Sequence, residues 1–289
     1  MCGEPTRPFL SATDRNQRVS DERFDYRRCS RCGLVALTAV PADLGRFYPR
    51  GYYRAPHRWR LAWAAWRERY QVALVRRFAA GGRLVEIGSA WGTFAYGARR
   101  AGFAVTAIER DGASCGFLSS VVGVEAIQST NPADVLERLP PSRVVVMWQV
   151  VEHLEDPWEV LARAAGNLEV GGVLVVGTPN PGSLGLRLLG ARWPHLDAPR
   201  HLWLIPADVL DGFLHEQGMH RVLLSTDDLG GRRWNRFAWG RALPARLPPR
   251  LAAAAGALIA LAMRPLERRP GRGSCYTAVY RRGPAGEAT

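Results

Sequence analysis

Residues 83–94 read Arg83-Leu-Val-Glu-Ile-Gly-Ser-Ala-Trp-Gly-Thr-Phe94, and their reading decides the fold. Leu84, Val85 and Ile87 form a short apolar run of the kind that fills a buried parallel strand. Gly88 and Gly92 then open a tight turn, and Thr93 to Arg100 continues as a helix. A strand, a glycine turn and a helix N-terminus make a cradle where backbone approaches a ligand closely. The spacing is Gly-x-x-x-Gly, not the Gly-x-Gly-x-x-Gly of the dinucleotide fingerprint. About twenty residues on, Val105-Thr-Ala-Ile-Glu109 reads as a second strand ending in a carboxylate, placed to hold a ribose diol.

The chain downstream repeats the alternation. Asp111 to Val121 predicts a helix, and Gly123 to Ile127 a short third strand. Asn131 to Leu139 reads as a helix with Asn131 as N-cap and Pro132 at its first position. Arg143 to Trp148 is a fourth, continuously apolar strand. Asp156, Pro157 and Glu159 then mark a helix start, with Val160, Leu161, Ala164 and Leu168 on its inner face. Val173 to Thr178 is the fifth strand, Val222 to Ser225 the sixth and Ser274 to Tyr280 the seventh. Strands and helices alternating in this way predict an α/β parallel sheet with ligands at the carboxyl ends of its strands.

Three stretches stand outside that pattern. Residues 1–56 are rich in Arg, Pro and turn formers and carry Cys29-Ser-Arg-Cys32-Gly33, the shape of a zinc knuckle; Cys2 adds a third candidate ligand. From Arg58 to Phe78, Trp59, Trp63, Trp66, Tyr70, Leu74 and Phe78 recur at helical spacing, which predicts one amphipathic helix packing through its aromatic face. Residues 234–269 have no place in the sheet and read as a helical insertion. Their apolar run Leu251 to Met263, flanked by Arg246, Arg250, Arg264, Arg268 and Arg269, suits a core helix or one lying in a membrane interface.

At 289 residues the chain suits one large domain with additions, or two small domains. An apolar fraction of 47% and ten tryptophans exclude a disordered chain. The net charge of +13 is carried by arginine; it fits nucleic acid, an anionic membrane, anionic substrates or simply a GC-rich coding bias. There is no secretory signal, and no apolar run reaches the roughly 20 residues that span a bilayer. The expected location is cytoplasmic, with peripheral contact at the inner face of the membrane through residues 246–269. Five cysteines do not suggest a disulfide framework.

Glu86-Ile-Gly-Ser-Ala-Trp-Gly92 resembles the motif of class I S-adenosylmethionine-dependent methyltransferases, an acidic residue followed by Gly-x-Gly-x-Gly, with Ala90 in place of the middle glycine. Trp148-Gln-Val-Val-Glu-His-Leu-Glu-Asp-Pro157, Thr178-Pro-Asn-Pro-Gly-Ser183 and Arg192-Trp-Pro-His-Leu-Asp-Ala-Pro-Arg-His201 are similar to a bacterial subfamily linked to polysaccharide and secondary-metabolite genes. The resemblance runs from about residue 24 to 225. It implies a seven-stranded, mostly parallel Rossmann-like sheet with helices on both faces, over residues 57–289. It also implies a small zinc-ribbon-like extension over residues 1–56. S-adenosylmethionine is the implied cofactor, held by Glu86, Gly88, Ser89, Gly92, Glu109, Arg110 and Gln149, with Glu109 on the ribose and the methionine moiety over Gly88. In the ribbon of that subfamily, Cys2-Gly3 matches the second half of the first knuckle, whose first cysteine falls two places before Met1. Cys2, Cys29 and Cys32 are then three ligands of an incomplete, four-thiolate structural zinc site.

Methyl transfer is an in-line displacement from a sulfonium, so the enzyme positions the acceptor and, for a hydroxyl, removes a proton. Histidine titrates near neutrality, which makes His153, His195 and His201 the candidate catalytic bases. Asn180 and Asp197 are candidates for binding acceptor hydroxyls. By family analogy the acceptor atom is oxygen, on a small-molecule, sugar-containing or lipid-linked acceptor. Two other classes compete: a non-catalytic nucleic-acid-binding protein and an NAD-dependent Rossmann enzyme. The first lacks a basic stripe with interleaved aromatics, so no nucleic-acid partner is expected; the second lacks the glycine pattern.

Overall fold

The computed structural model describes residues 3–49, 57–242 and 249–284. Cys2 lies outside them, and so does Arg246. The N-terminal residues form a small antiparallel sheet of β1 (Thr6–Ala12), β2 (Phe24–Cys29) and β3 (Val35–Leu37). A two-residue strand from far along the chain, β9 (Trp203–Leu204), completes it beside β3. The hairpin between β2 and β3 is the Cys-x-x-Cys-Gly turn, closed by Gly33 N–H to Cys29 O and Cys29 N–H to Leu34 O, with Gly33 at φ 74°. Cys29 is buried, and no group of three potential metal ligands forms around Cys29 and Cys32 among the described residues.

Next come two short helices, α1 (Arg58–Arg67) and α2 (Arg69–Arg76), where the spacing predicts one. The break falls at Glu68, whose φ of −98° and ψ of 10° leave the helical region. The face expected to pack does so only in its second half, where Leu74 and Phe78 pack on the core; in the first half Trp59, Trp63 and Trp66 are 69%, 56% and 59% exposed. The helices also pack through Leu61, Ala65 and Val75, which are small enough to let them approach α3 (Thr93–Arg100) and the sheet closely. Outside, Arg60, Arg67 and Arg69 lie over the Trp59, Trp63 and Trp66 rings at 4.9, 4.6 and 4.3 Å from the centroids. Cation–π stacking of this kind keeps exposed indoles partly covered.

The main sheet consists of β4 (Gly82–Ile87), β5 (Phe103–Glu109), β6 (Glu125–Gln128), β7 (Ser142–Trp148), β8 (Leu168–Pro179), β10 (Met219–Ser225) and β11 (Cys275–Arg282). Their order is β10-β11-β8-β7-β4-β5-β6, with β11 antiparallel to both neighbours and the other contacts parallel. All seven strands expected from the apolar runs are present. One face carries Val85, Ile87, Val145, Met147, Leu174 and Val176 against α5 (Pro132–Arg138), α6 (Pro157–Asn167) and α8 (Ala207–Glu216). The other carries Leu84, Val144, Val146, Val173 and Val175 against α1, α2 and α3. This two-sided burial is why the strands read as unbroken apolar runs. The expected caps are in place: Asn131 accepts from Ala133 N–H, and Asp156 from Trp158 and Glu159 N–H. The helix after β5 is α4 (Gly112–Phe117), continued by a π-helical turn to Val122.

Between β8 and β9 the chain runs through α7 (Leu184–Leu189) and two 3-10 turns. The insertion between β10 and β11 comprises α9 (Leu229–Ala242) and α10 (Pro249–Glu267), packed on each other. No helix of the described residues is long and apolar enough to cross a membrane.

A buried ion cluster joins the small sheet to the large one. Arg200, with no exposed side-chain surface, donates to Asp14 at 2.6 Å, to both oxygens of Asp197 at 2.8 and 2.9 Å and to Phe47 O at 2.8 Å. Nearby, Asn16 donates to Pro194 O and Asp197, and Tyr26 O–H to His201 O. Removing one member of a buried ion set strands the others without partners, a cost of roughly 3–5 kcal/mol. Arg200→Met is therefore expected to lower stability in urea unfolding by about that amount, roughly 3–5 kcal/mol. A loss below about 1 kcal/mol, the size of an exposed pair, contradicts the assignment.

Candidate active site

A cleft of about 560 Å³ opens at the carboxyl ends of β4, β7 and β8 and the facing end of β11. Its floor is the Gly88–Trp91 loop with Glu86, Trp148, Gln149, Gly177 and Cys275. Its opposite walls come from α1 and α2 (Trp63, Arg67, Glu68, Tyr70, Gln71) and from α9 (Gly230, Arg233, Trp234, Phe237).

The loop after β4 explains its own sequence. Gly88 has φ 70°, and a Cβ there would meet Val150 Cγ2 at 2.5 Å; Gly92 also has φ 70°, and a Cβ there would meet Leu118 Cδ2 at 2.5 Å. Ala90, where the resembling motif carries its middle glycine, keeps a left-handed φ of 46° despite its methyl group. Backbone of this kind costs an L-residue on the order of 1–2 kcal/mol. Gln149 is the second such residue in the cleft, at φ 57°, held by its N–H to Gly177 O at 2.7 Å. Strained backbone of this sort concentrates where a ligand must be met.

Four polar atoms of the cleft lining are buried without a hydrogen-bond partner: Gln71 Oε1, Glu86 Oε2, Trp91 Nε1 and Trp148 Nε1. Buried polar atoms are nearly always paired, so four unpaired ones in residues around one cleft set its walls apart from the rest of the core. Burial pushes the Glu86 carboxyl up to about 8, with the charge on Glu109 adding to the rise and a hydrogen bond from Ser89 opposing it. These features fit S-adenosylmethionine. Glu86 offers a carboxyl for an ammonium group beside the Gly88 turn.

Glu109 is placed differently from expectation. Its carboxylate accepts from Ala90 N–H at 2.8 Å, Arg110 N–H at 2.9 Å and Asp111 N–H at 3.1 Å. Of about four lone-pair sites on a carboxylate, one is left for a ribose hydroxyl. Taking both hydroxyls requires release of a backbone amide. Ser89 is buried with its hydroxyl on Glu86 O, and Arg110 is exposed with its guanidinium over the Tyr48 ring.

None of His153, His195 and His201 lines the cleft. His195 is buried among Trp193, Trp234 and Phe237, with Nε2 3.0 Å from Trp234 O, and burial pushes its pKa down to about 4. His153 and His201 meet edge to face at 4.5 Å behind the cleft. Burial lowers both, His201 to about 3, where the neighbouring His153 adds to the effect. Asn180 and Asp197 are not free for acceptor hydroxyls. Asn180 staples Gly271 O, Gly273 O and Gly182 N–H together, and Asp197 belongs to the Arg200 cluster.

The residue that sequence reading passed over is Glu68. It lines the cleft at the α1–α2 break, and burial pushes its carboxyl up against the opposing pull of Arg233 and Arg67. Its only signal in the sequence is a carboxylate interrupting an apolar helical face.

Comparison with known proteins agrees with this architecture. A family model described as a methyltransferase domain matches residues 58–223, more than half of the chain. The ubiquinone biosynthesis O-methyltransferase of Paramagnetospirillum magneticum is 30% identical over 165 residues, 50% of this chain and 64% of that protein. Its counterpart from Cereibacter sphaeroides is 31% identical over 109 residues, 36% of this chain and 42% of that one. The chain thus spans less than two thirds of the length of either relative. Among solved structures, a SAM-dependent methyltransferase from Archaeoglobus fulgidus superposes with a TM-score of 0.51 at 18% identity, covering 75% of this chain and 94% of that one. The cyclase SpnF superposes with a TM-score of 0.50 at 17% identity over 74% and 80%. Likeness at this identity establishes the fold and not the reaction. The order of the seven strands, the glycine loop after β4 and the family match together place this chain in the methyltransferase-domain family, of class I architecture.

Proposed function

We propose that this chain transfers a methyl group from S-adenosylmethionine to an oxygen of a small-molecule acceptor. The observation that carries the reading is the cleft, where the Gly88–Trp91 loop and Glu86 face an aromatic and basic wall; Gly92, Glu109 and Arg110 adjoin it without lining it. When bound, S-adenosylmethionine supplies an electrophilic methyl on a sulfonium. Glu86, Gly88, Ser89 and Gly92 would hold its methionine part, Glu109 and Arg110 its nucleoside part, and Gln149 the strand end nearest the methyl.

Trp63, Tyr70, Trp234 and Phe237 give the acceptor flat apolar faces, and Arg67 and Arg233 give it positive charge. That wall suits a ring, of sugar or aromatic kind, carrying an anionic group, and hence a sugar-containing or lipid-linked acceptor. Glu68 is among the residues lining the cleft, and its raised carboxyl suits it to take a proton from an acceptor hydroxyl bound there. His153, His195 and His201 remain candidates only through movement toward the cleft; Glu68 is the better placed base.

Calorimetric titration separates this reading from its rivals. S-adenosylhomocysteine is expected to bind near one to one, and NAD and duplex DNA are not. Glu109→Ala should weaken that binding by about 1.5–3 kcal/mol, the scale of hydrogen bonds to a charged group. Gly88→Val should abolish it. Two folded variants that bind like the wild type would remove the site, and tight NAD binding would replace the reading.

Glu86 makes the binding pH-dependent. Its folded pKa lies above the unfolded value, so the folded ligand-free protein holds a proton that the unfolded chain has lost between about pH 4.5 and 8. Stability contributed by this group therefore falls as pH rises through that window, and Glu86→Gln should flatten the slope. The carboxylate is the form that would pair with the ligand's ammonium, so S-adenosylhomocysteine affinity should rise from pH 6 to 8 in the wild type. In Glu86→Gln that rise should vanish.

Peripheral membrane contact is part of the same proposal. α10 exposes Leu251, Leu258, Leu261 and Leu266, and Arg264, Arg268 and Arg269 follow. α1 adds Trp59, Trp63 and Trp66 with their stacked arginines, and Trp63 and Arg67 also line the cleft. Basic residues near an anionic surface contribute about 1 kcal/mol each. Flotation with phosphatidylglycerol-containing vesicles at low salt should carry the protein, and Trp59→Ser with Trp63→Ser should reduce it. Absence of flotation ends the membrane part and leaves methyl transfer standing.

A further inference from the structure

Behind the cleft, one residue past Gly177, Thr178 turns its hydroxyl to Glu152 Oε2 at 2.9 Å. Glu152 is completely buried, and its other oxygen, Oε1, has no hydrogen-bond partner. His153 follows it in a 3-10 turn, and His201 comes from the loop before β9; one ligand atom of each of the three lies within 4.8 Å of the others.

The imidazoles are oriented by backbone. His201 Nδ1 is 2.8 Å from His195 O, and His153 Nδ1 is 3.0 Å from Arg200 O. A ring nitrogen facing only a carbonyl carries the proton, which leaves His201 a lone pair on Nε2; His153 Nδ1 lies between Arg200 O and the Tyr48 hydroxyl, 3.3 Å away, and donating to the carbonyl gives it the same tautomer. His201 Nε2 lies 4.0 Å from Glu152 Oε1 and 4.0 Å from Asp197 Oδ2. That is too long for hydrogen bonds and too short to seat a water between them without strain. Histidines that bind metal characteristically donate their other N–H to a carbonyl or carboxylate, which fixes the ring. Here two histidines do so side by side.

The charges point the same way. Asp14, Asp197 and Glu152 are three carboxyl groups at or near full burial, and Arg200 is the guanidinium among them. With Glu152 ionised, a divalent cation brings the set to neutrality.

We propose that Glu152, His153 and His201 form a structural site for a divalent cation of zinc type, with Asp197 or water as fourth ligand. Two imidazole nitrogens and one carboxylate oxygen are the donor set that zinc takes at about 2.0–2.2 Å, with ligand atoms about 3.3 Å apart in a tetrahedron. The side chains need to close by about 1 Å. The ion ties the turn after β7, which carries Gln149 and Val150 into the cleft, to the 195–201 loop beneath the small sheet. It is separate from the Cys29–Cys32 turn and does not rest on the methyl-transfer reading.

The test uses the full chain stripped by chelator and titrated with Zn²⁺ or Co²⁺ alone. The expected result is about one equivalent bound, a raised melting temperature, and visible cobalt d–d bands without thiolate charge transfer in the near ultraviolet. Glu152→Gln and His201→Gln should each lose that equivalent, and Cys29→Ser with Cys32→Ser should keep it. Should Glu152→Gln fail to fold, the cobalt spectrum of the wild type decides alone, because imidazole and carboxylate ligands lack the thiolate bands. No binding to the stripped wild type, binding unchanged in folded Glu152→Gln, or a thiolate spectrum overturns the proposal.

Discussion

The structure depends on a contact that one atom would block. Gly88 ends β4 within reach of Val150, which follows β7, and a Cβ on Gly88 would lie 2.5 Å from Val150 Cγ2. β4 is paired in parallel with β5 on one side and β7 on the other, so the connections diverge at its carboxyl end. A crevice at that point is a property of the topology. Its depth, however, depends on Gly88 having no side chain and on Val150 packing into the space. Ala90 and Gln149 accept left-handed backbone on either side of this contact, and the energy for that comes from the buried sheet beneath.

The second constraint is electrostatic. The small sheet has an apolar cluster of its own, in which Phe24, Tyr26, Val35, Leu37 and Phe47 pack with Trp193, Leu196 and Leu204, and β9, its fourth strand, is two residues long. Beside that cluster Arg200, whose five donors suit it to bridge two carboxylates and a backbone carbonyl at once, ties the N-terminal segment to the 197–200 loop. A buried ion set is poor evidence for net stability, but it tolerates few geometries and so selects one docking. Arg200 and His201 are adjacent, so the residue that docks the small sheet also places an imidazole beside Glu152.

Much of the fold was legible because the main sheet obeys local rules. Each strand buried on both faces is an apolar run, and Asn131 and Asp156 announce their helices by hydrogen bonds to nearby amides. Residues 58–78 misled for a physical reason. Two stripes of the same period run along them, Trp59-Trp63-Trp66-Tyr70 and Leu61-Ala65-Glu68-Val75, displaced by two positions and hence on opposite faces. Hydrophobicity favours burying the indoles; close helix packing favours the smaller side chains, and arginines stacked on the rings reduce the cost of leaving them out. Glu68 was hidden by the same ambiguity, since it belongs to the inner stripe. The meeting of Glu152, His153 and His201 was illegible because it depends on which loops the small sheet draws together. Read singly, each histidine looks like a base.

The division of the cleft explains why the family is clearer than the acceptor. The donor side is built from β4, β5 and β7, inside the matched residues 58–223. The acceptor wall is shared between α1–α2, inside that span, and α9 with the start of β11, outside it. Trp234 and Phe237 belong to the unmatched part, and so does Arg233, which lies over Tyr70 across the cleft. A pocket with one wall inside the family match and another partly outside it can keep one chemistry while changing what receives the group. The relatives aligned over half of the chain therefore bear on the walls from β4 and β7 far more than on the wall from α9.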